Sequence, residues 1–110
     1  MDITVSEMHR ATLLEVAGRV DSTNATKLGD ALNEQIDAGR VRLVLDLGKV
    51  DYMSSAGLRE LVAARNKLKS SNGDLRIASP SPYVKDTLTM VGFDTLFRIF
   101  DTQVEAVGSY

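Results

Sequence analysis

Hydrophobic positions along the chain change period several times, and each change predicts an element. Ile3-Thr4-Val5 and Thr12-Leu13-Leu14-Glu15-Val16 are short β-prone runs separated by the polar segment Ser6 to Arg10, which predicts an antiparallel hairpin. From about Ser22, apolar residues Ala25, Leu28, Leu32 and Ile36 recur at helical spacing, with Ser22 or Asn24 as candidate N-cap and Gly39 as terminator. Val41 to Leu47 is the strongest strand, and its nearly unbroken apolar run from Leu43 suits a central strand covered on both faces. Leu58, Leu61, Val62, Ala64 and Leu68 form a second helical stripe, ended by the turn-forming Ser70-Ser71-Asn72-Gly73. Leu75 to Ala78 reads as the next strand. Ser79-Pro80-Ser81-Pro82 then opens a third helix with Val84, Leu88 and Val91 inward. Phe97 to Phe100 makes a last short strand before a helical turn or two from about Thr102.

Strands alternating with helices at these intervals predict βαβ units with right-handed crossovers and mostly parallel strands. The expected product is a small α/β domain in which residues 1–110 form one functional unit. With 110 residues and 44% apolar content, the chain can bury a core without disulfide or metal staples, and it has no cysteine. No stretch approaches the roughly 20 apolar residues of a membrane span, and the first residues lack the basic and apolar runs of a signal peptide. A soluble, cytoplasmic protein is the expectation. The formal charge of -2, with acids and bases interspersed, argues against a nucleic-acid surface. The densest basic cluster, Arg65, Lys67 and Lys69, reads as a solvated helix face.

In such a layer, functional groups gather beyond the carboxyl ends of the parallel strands. Asp46, Asp51 and Ser55 are expected on that edge. Hydrolytic chemistry there is disfavoured, because a nucleophilic serine needs a base and the lone histidine, His9, falls in the predicted hairpin turn. Metal chemistry is disfavoured too: there is no cysteine, and Asp21, Asp46 and Asp51 come singly. Gly39, Gly48 and Gly57 lie in separate turns and make no phosphate-binding loop. A phospho-accepting aspartate at Asp46 would parallel response-regulator receivers, but the acidic pair after the first strand and the late lysine are missing. Asp46 is therefore read as a strand-end cap.

The run Val50-Asp51-Tyr52-Met53-Ser54-Ser55-Ala56-Gly57-Leu58 places two hydroxyls where a strand hands over to a helix. Either serine can act as an N-cap, a role worth about 1 kcal/mol. A second hydroxyl exceeds what capping needs, and Gly57 in the first turn gives up roughly 1 kcal/mol of helix propensity. That loss is explained either by close approach of another backbone or by tight packing of the helix on its own sheet.

The order Gly18-Arg19-Val20-Asp21, then Leu43-Val44-Leu45-Asp46-Leu47, then the serine turn resembles the STAS domain of bacterial anti-sigma factor antagonists, over essentially the whole chain. The resemblance implies a mixed four- to five-stranded sheet with an N-terminal antiparallel hairpin and flanking helices, and a protein that binds rather than catalyses. It implies that the unphosphorylated protein captures an anti-sigma factor and so frees a sigma factor. The anti-sigma factor is often a serine kinase that inactivates its captor with ATP and magnesium, and a PP2C-type phosphatase restores it. Carried onto this chain, the phosphoacceptor is Ser55. Family members commonly have an aspartate immediately before the acceptor; Ser54 stands there here and is the alternative acceptor. Asp21 matches the family's post-strand aspartate, to contact the kinase or to cap the first helix. The partner-binding set read here is Asp21, Ser54, Ser55, Ala56, Gly57 and Arg59; Arg59 and its neighbour Glu60, one turn into the second helix, are read from their position as rim contacts or as ordinary wet surface. Tyr52 and Met53 are candidates for apolar contact, Met53 also for the core. No metal or cofactor is implied. The runner-up is a constitutive STAS scaffold or regulatory subunit of a transporter or stress-sensing complex, with both serines acting only as caps.

Overall fold

The computed structural model describes all 110 residues. Strands β1 (Asp2–Glu7) and β2 (Thr12–Val20) form the expected antiparallel hairpin, with Ile3 opposite Val16 and Val5 opposite Leu14. Helix α1 (Ala25–Asp37) returns the chain to β3 (Arg42–Met53), and α2 (Ser55–Lys69) to β4 (Asp74–Ala78). Helices α3 (Pro82–Met90) and α4 (Phe93–Leu96) lead to β5 (Ile99–Phe100), and α5 (Gln103–Gly108) follows. The sheet order is β1-β2-β3-β4-β5, antiparallel at the first pair and parallel at the other three.

Because successive strand residues point to opposite faces, the apolar runs of the central strands feed two cores. Leu14, Val16, Leu43, Leu45, Leu75 and Ile77 pack with Leu28 and Leu32 of α1, Leu61 and Leu68 of α2, and Val84 and Leu88 of α3. The alternate residues Leu13, Val44 and Ala78 meet Ala106 of α5 on the opposite face. This two-sided burial accounts for the continuous Leu43 to Leu47 run. No helix is long and apolar enough to cross a membrane.

Helix α1 begins at Ala25, later than Ser22, because Asn24 binds backward: its Nδ2 donates to Arg19 O at 2.8 Å and its Oδ1 accepts from Asp21 N–H at 2.9 Å. Asn24 occupies the N-cap position without a capping side-chain bond. The helix ends as expected at Gly39, whose φ of +84° lets Gly39 N–H reach Ile36 O and Arg40 N–H reach Gln35 O, both at 3.0 Å.

Two expectations are corrected. Asp46 does not end its strand: β3 runs on to Met53, and Asp46 sits in its interior, 9% exposed, opposite Glu15. Its Oδ1 accepts from Gly48 N–H at 2.8 Å and its Oδ2 from Gln103 Nε2 at 2.6 Å, so it ties α5 to the sheet. It is therefore absent from the carboxyl edge. Val91 does not face inward either, being 49% exposed, because α3 stops at Met90 and Gly92, with φ +79°, turns the chain into α4.

Candidate functional site

The site is built where β2 and β3 end side by side. Val20 lies opposite Met53 in parallel register, and Ser54 N–H donates to Val20 O at 2.9 Å. This bond carries the pairing one residue past β3 and fixes the direction in which α2 departs. Ser54 is extended, with φ −80° and ψ 168°; its carbonyl accepts from Leu58 N–H at 3.0 Å and its Oγ from Gly57 N–H at 3.3 Å. Those are the marks of an N-cap. Ser54 is thus the capping residue, half-buried, while Ser55 is the first helical residue and exposed.

Gly57 is buried in this first turn, and the reason is local packing. A β-carbon there would lie 2.5 Å from Met53 Sδ and 2.8 Å from Val20 Cγ1. Of the two explanations for its helix-propensity cost, the structure supports tight seating of α2 on its own sheet. Met53 is a core residue, 3% exposed. Glu60 turns toward α1 rather than toward the rim: a β-carbon on Gly29 would meet its Oε2. Arg59 is exposed and takes part in none of the domain's ion pairs.

Beside the serine turn, α2 and the α3–α4 bend enclose an open groove of about 510 Å³, lined by Ser55, Leu58, Arg59, Val62, Val91 and Phe93 among others. Val91 and Phe93 were not expected here; the signal was Gly92, which breaks the helical period between them.

Asp21 reaches the same sheet end because β2 and β3 are parallel neighbours. Its Oδ1 accepts from Thr23 N–H at 2.9 Å and Thr23 Oγ1 at 2.6 Å, and its Oδ2 from Arg19 Nε at 3.2 Å. The carboxylate closes the turn before α1 rather than capping the helix itself; the Asp21 carbonyl accepts from Ala25 N–H at 2.9 Å. The Thr23 hydroxyl and then its N–H hold the carboxyl below its ordinary value of 3.8, against an opposing desolvation that exceeds the lesser help from Arg19's hydrogen bond and from its charge, each taken alone. A depressed carboxyl stabilises the fold above its ordinary value, and that contribution disappears as pH falls through the lowered one. The Asp21 side-chain carbon is expected to titrate below 3.8 in an NMR pH series, and Thr23→Val to move the midpoint upward; equal midpoints would contradict this assignment.

Arg19 also stacks over Tyr52 at 4.0 Å from the ring centroid, and Tyr52 meets Tyr83 at 6.1 Å between centroids, a pair of contacts the sequence did not announce. The hairpin loop carrying His9 adjoins the start of β2 at Thr12, whereas Ser55 follows its far end, so the one imidazole lies at the opposite end of the sheet. No group of three or more His, Cys, Asp or Glu is placed to hold a metal ion.

Comparison with known proteins agrees with this architecture. The STAS domain profile matches residues 2–106. BtrV of Bordetella bronchiseptica, a candidate anti-sigma factor antagonist, is 32% identical over 110 residues, spanning 100% of this chain and 95% of BtrV. The anti-sigma-F factor antagonist RsfB of Mycobacterium tuberculosis is 27% identical over 105 residues, spanning 96% of this chain and 85% of RsfB. An anti-sigma factor antagonist structure from Mycobacterium paratuberculosis shares the fold with a TM-score of 0.89 at 24% identity, covering 98% of this chain and 92% of that one. Matched from end to end in both sequence pattern and fold, the chain belongs to the STAS domain family.

Proposed function

We propose that the protein is an anti-sigma factor antagonist: unphosphorylated, it binds an anti-sigma factor with serine kinase activity and releases a sigma factor, and phosphorylation of Ser55 ends that binding. The observation that carries the reading is the division of labour in the serine pair. Ser54 is committed as the cap, with its Oγ accepting from Gly57 N–H, while the Ser55 hydroxyl stands in solvent at the end of an apolar groove. A scaffold reading assigns both serines to capping, yet one cap suffices and Ser54 provides it.

The partner kinase transfers the γ-phosphoryl group of Mg-ATP to Ser55 Oγ; ADP leaves, and the hydroxyl proton passes to a base of the kinase or to water. A PP2C-type phosphatase hydrolyses the ester, returning the hydroxyl and inorganic phosphate. The chain contributes no catalytic group to either step and acts in the cytoplasm by binding. Docking draws on Ser54, Ser55, Ala56 and Arg59, with Asp21 at the neighbouring strand end, while the buried Gly57 serves by seating the turn that presents them. Phosphate at this point is tolerated by the fold, since the first helical N–H groups and the dipole favour negative charge.

The test is intact-mass spectrometry after incubation with the cognate anti-sigma kinase and Mg-ATP. One added phosphate is expected on wild type and on Ser54→Ala, and none on Ser55→Ala. Loss in Ser54→Ala alone moves the site by one residue, and no phosphate on any form, despite stable binding to an active kinase, favours the scaffold.

A further inference from the structure

Within the groove beside Ser55, Arg59 is the one charged side chain; the others along it are apolar or neutral. Ser55 and Arg59 stand four residues apart on α2, the spacing that stacks side chains on one helix face with β-carbons about 5–6 Å apart. Arg59 has no ion-pair partner within the domain. Of the acidic groups at this end of the domain, Asp21 is engaged by Arg19 and Thr23, and the Glu60 carboxylate lies over Gly29 of α1, turned toward that helix. The first turn that carries Ser55 is held rigidly, because Gly57 is seated against Met53 and Val20.

We propose that Arg59 is the internal counter-ion of phosphorylated Ser55, pairing with the phosphate across one turn of α2 so that the ion pair lies over the serine end of the groove. Arg–phosphate pairs are charge-assisted and frequently bidentate, and a phosphorylated side chain places three acceptor oxygens within reach of the guanidinium fork. Modification then changes the docking surface in two ways at once. It adds a dianion at Ser55, and it withdraws Arg59 from the solvent-facing position in which the unphosphorylated groove presents it. The free phosphorylated domain holds its new charge satisfied, so a partner must break that pair to reach Leu58, Val62, Val91 and Phe93. Arg59 is a positioning residue here, acting through the phosphate rather than on any reaction.

This inference rests on Ser55 being the modified residue, and its test keeps the two separable. Phosphoserine is installed at position 55 during translation, without a kinase, in wild type, Arg59→Gln and Arg59→Lys. The second ionisation of the phosphate, ordinarily near 6, is followed by phosphorus NMR against pH. The wild-type midpoint is expected about half a unit below that of Arg59→Gln, an exposed-pair magnitude, with Arg59→Lys close to wild type because the charge is kept. An unchanged midpoint in Arg59→Gln, or an equal rise in Arg59→Lys, overturns the pairing. Neither result bears on whether the anti-sigma kinase selects Ser55, which the mass measurement decides. Unphosphorylated Arg59→Gln is expected to melt with wild type, since the exposed side chain bonds to nothing in the domain.

Discussion

Phosphorylation of Ser55 is expected to weaken binding of the anti-sigma partner at least about 100-fold, and Ser55→Ala to keep tight binding in the presence of Mg-ATP. The magnitude follows from desolvation. The Ser55 hydroxyl is exposed in the free domain at the end of the groove, so an interface covering the serine turn would enclose it. A neutral hydroxyl enters such an interface at little cost, whereas a phosphate carries about 1.5 to 2 negative charges, and burying them once a partner has broken their pairing with Arg59 costs several kcal/mol. Each 1.4 kcal/mol is tenfold in affinity, so about 3 kcal/mol accounts for 100-fold. The free phosphorylated state also keeps its helix-terminal stabilisation, which widens the gap. Titration calorimetry with homogeneous phosphoserine protein checks this. A loss of less than about threefold would place Ser55 outside the interface or against a waiting cation of the partner.

Gly57→Val is expected to lower stability by about 3 kcal/mol, at the upper end of overpacking costs. The first added carbon already falls 2.5 Å from Met53 Sδ and 2.8 Å from Val20 Cγ1, and both side chains are packed in the core, at 3% and 0% exposure, so they shift only by disturbing their neighbours. The helix-propensity gain on replacing glycine, under about 1 kcal/mol, does not offset the clash. Gly29→Ala is the control. Its β-carbon would overlap the Glu60 carboxylate, but that group is the free end of a flexible side chain and can swing aside. Gly29→Ala is expected within about 0.5 kcal/mol of wild type, or slightly above it, as the propensity gain and the displaced contact nearly cancel. Urea unfolding at constant m-value measures both variants. Equal effects of the two substitutions would mean that the serine turn is not rigidly seated, and would undercut its role as a fixed docking platform.

The hairpin, the parallel strands and the helix starting at the serine turn were all legible in the sequence, because their burial is periodic. Leu43 to Leu47 shows as an apolar run since helices cover both faces of β3. What stayed hidden was set by contacts distant in sequence. The polar Gly48-Lys49 pair looks like the end of a strand, yet β3 continues beside β2 through irregular register, where β4 no longer accompanies it. Asp46 consequently looked like a cap, although its partner Gln103 lies 57 residues away. Val91 fitted the inward stripe of α3 until Gly92 ended the helix one residue later and left it exposed. At the site, the serine turn and Arg59 could be read locally. The roles of the two serines could not, because capping depends on the direction in which α2 leaves the sheet, fixed by the Ser54 bond to Val20. Nor could the tight seating of Gly57, which is defined by side chains from two strands.

The most direct measurement is sigma-factor release. The protein is added, unphosphorylated or carrying phosphoserine at position 55, to a preformed complex of the anti-sigma factor and its labelled sigma factor, and free sigma factor is followed by fluorescence anisotropy. The unphosphorylated form is expected to release sigma factor in proportion to the amount added, and the phosphorylated form to release almost none. Equal release by both forms, or none by either, would contradict a Ser55-controlled antagonist.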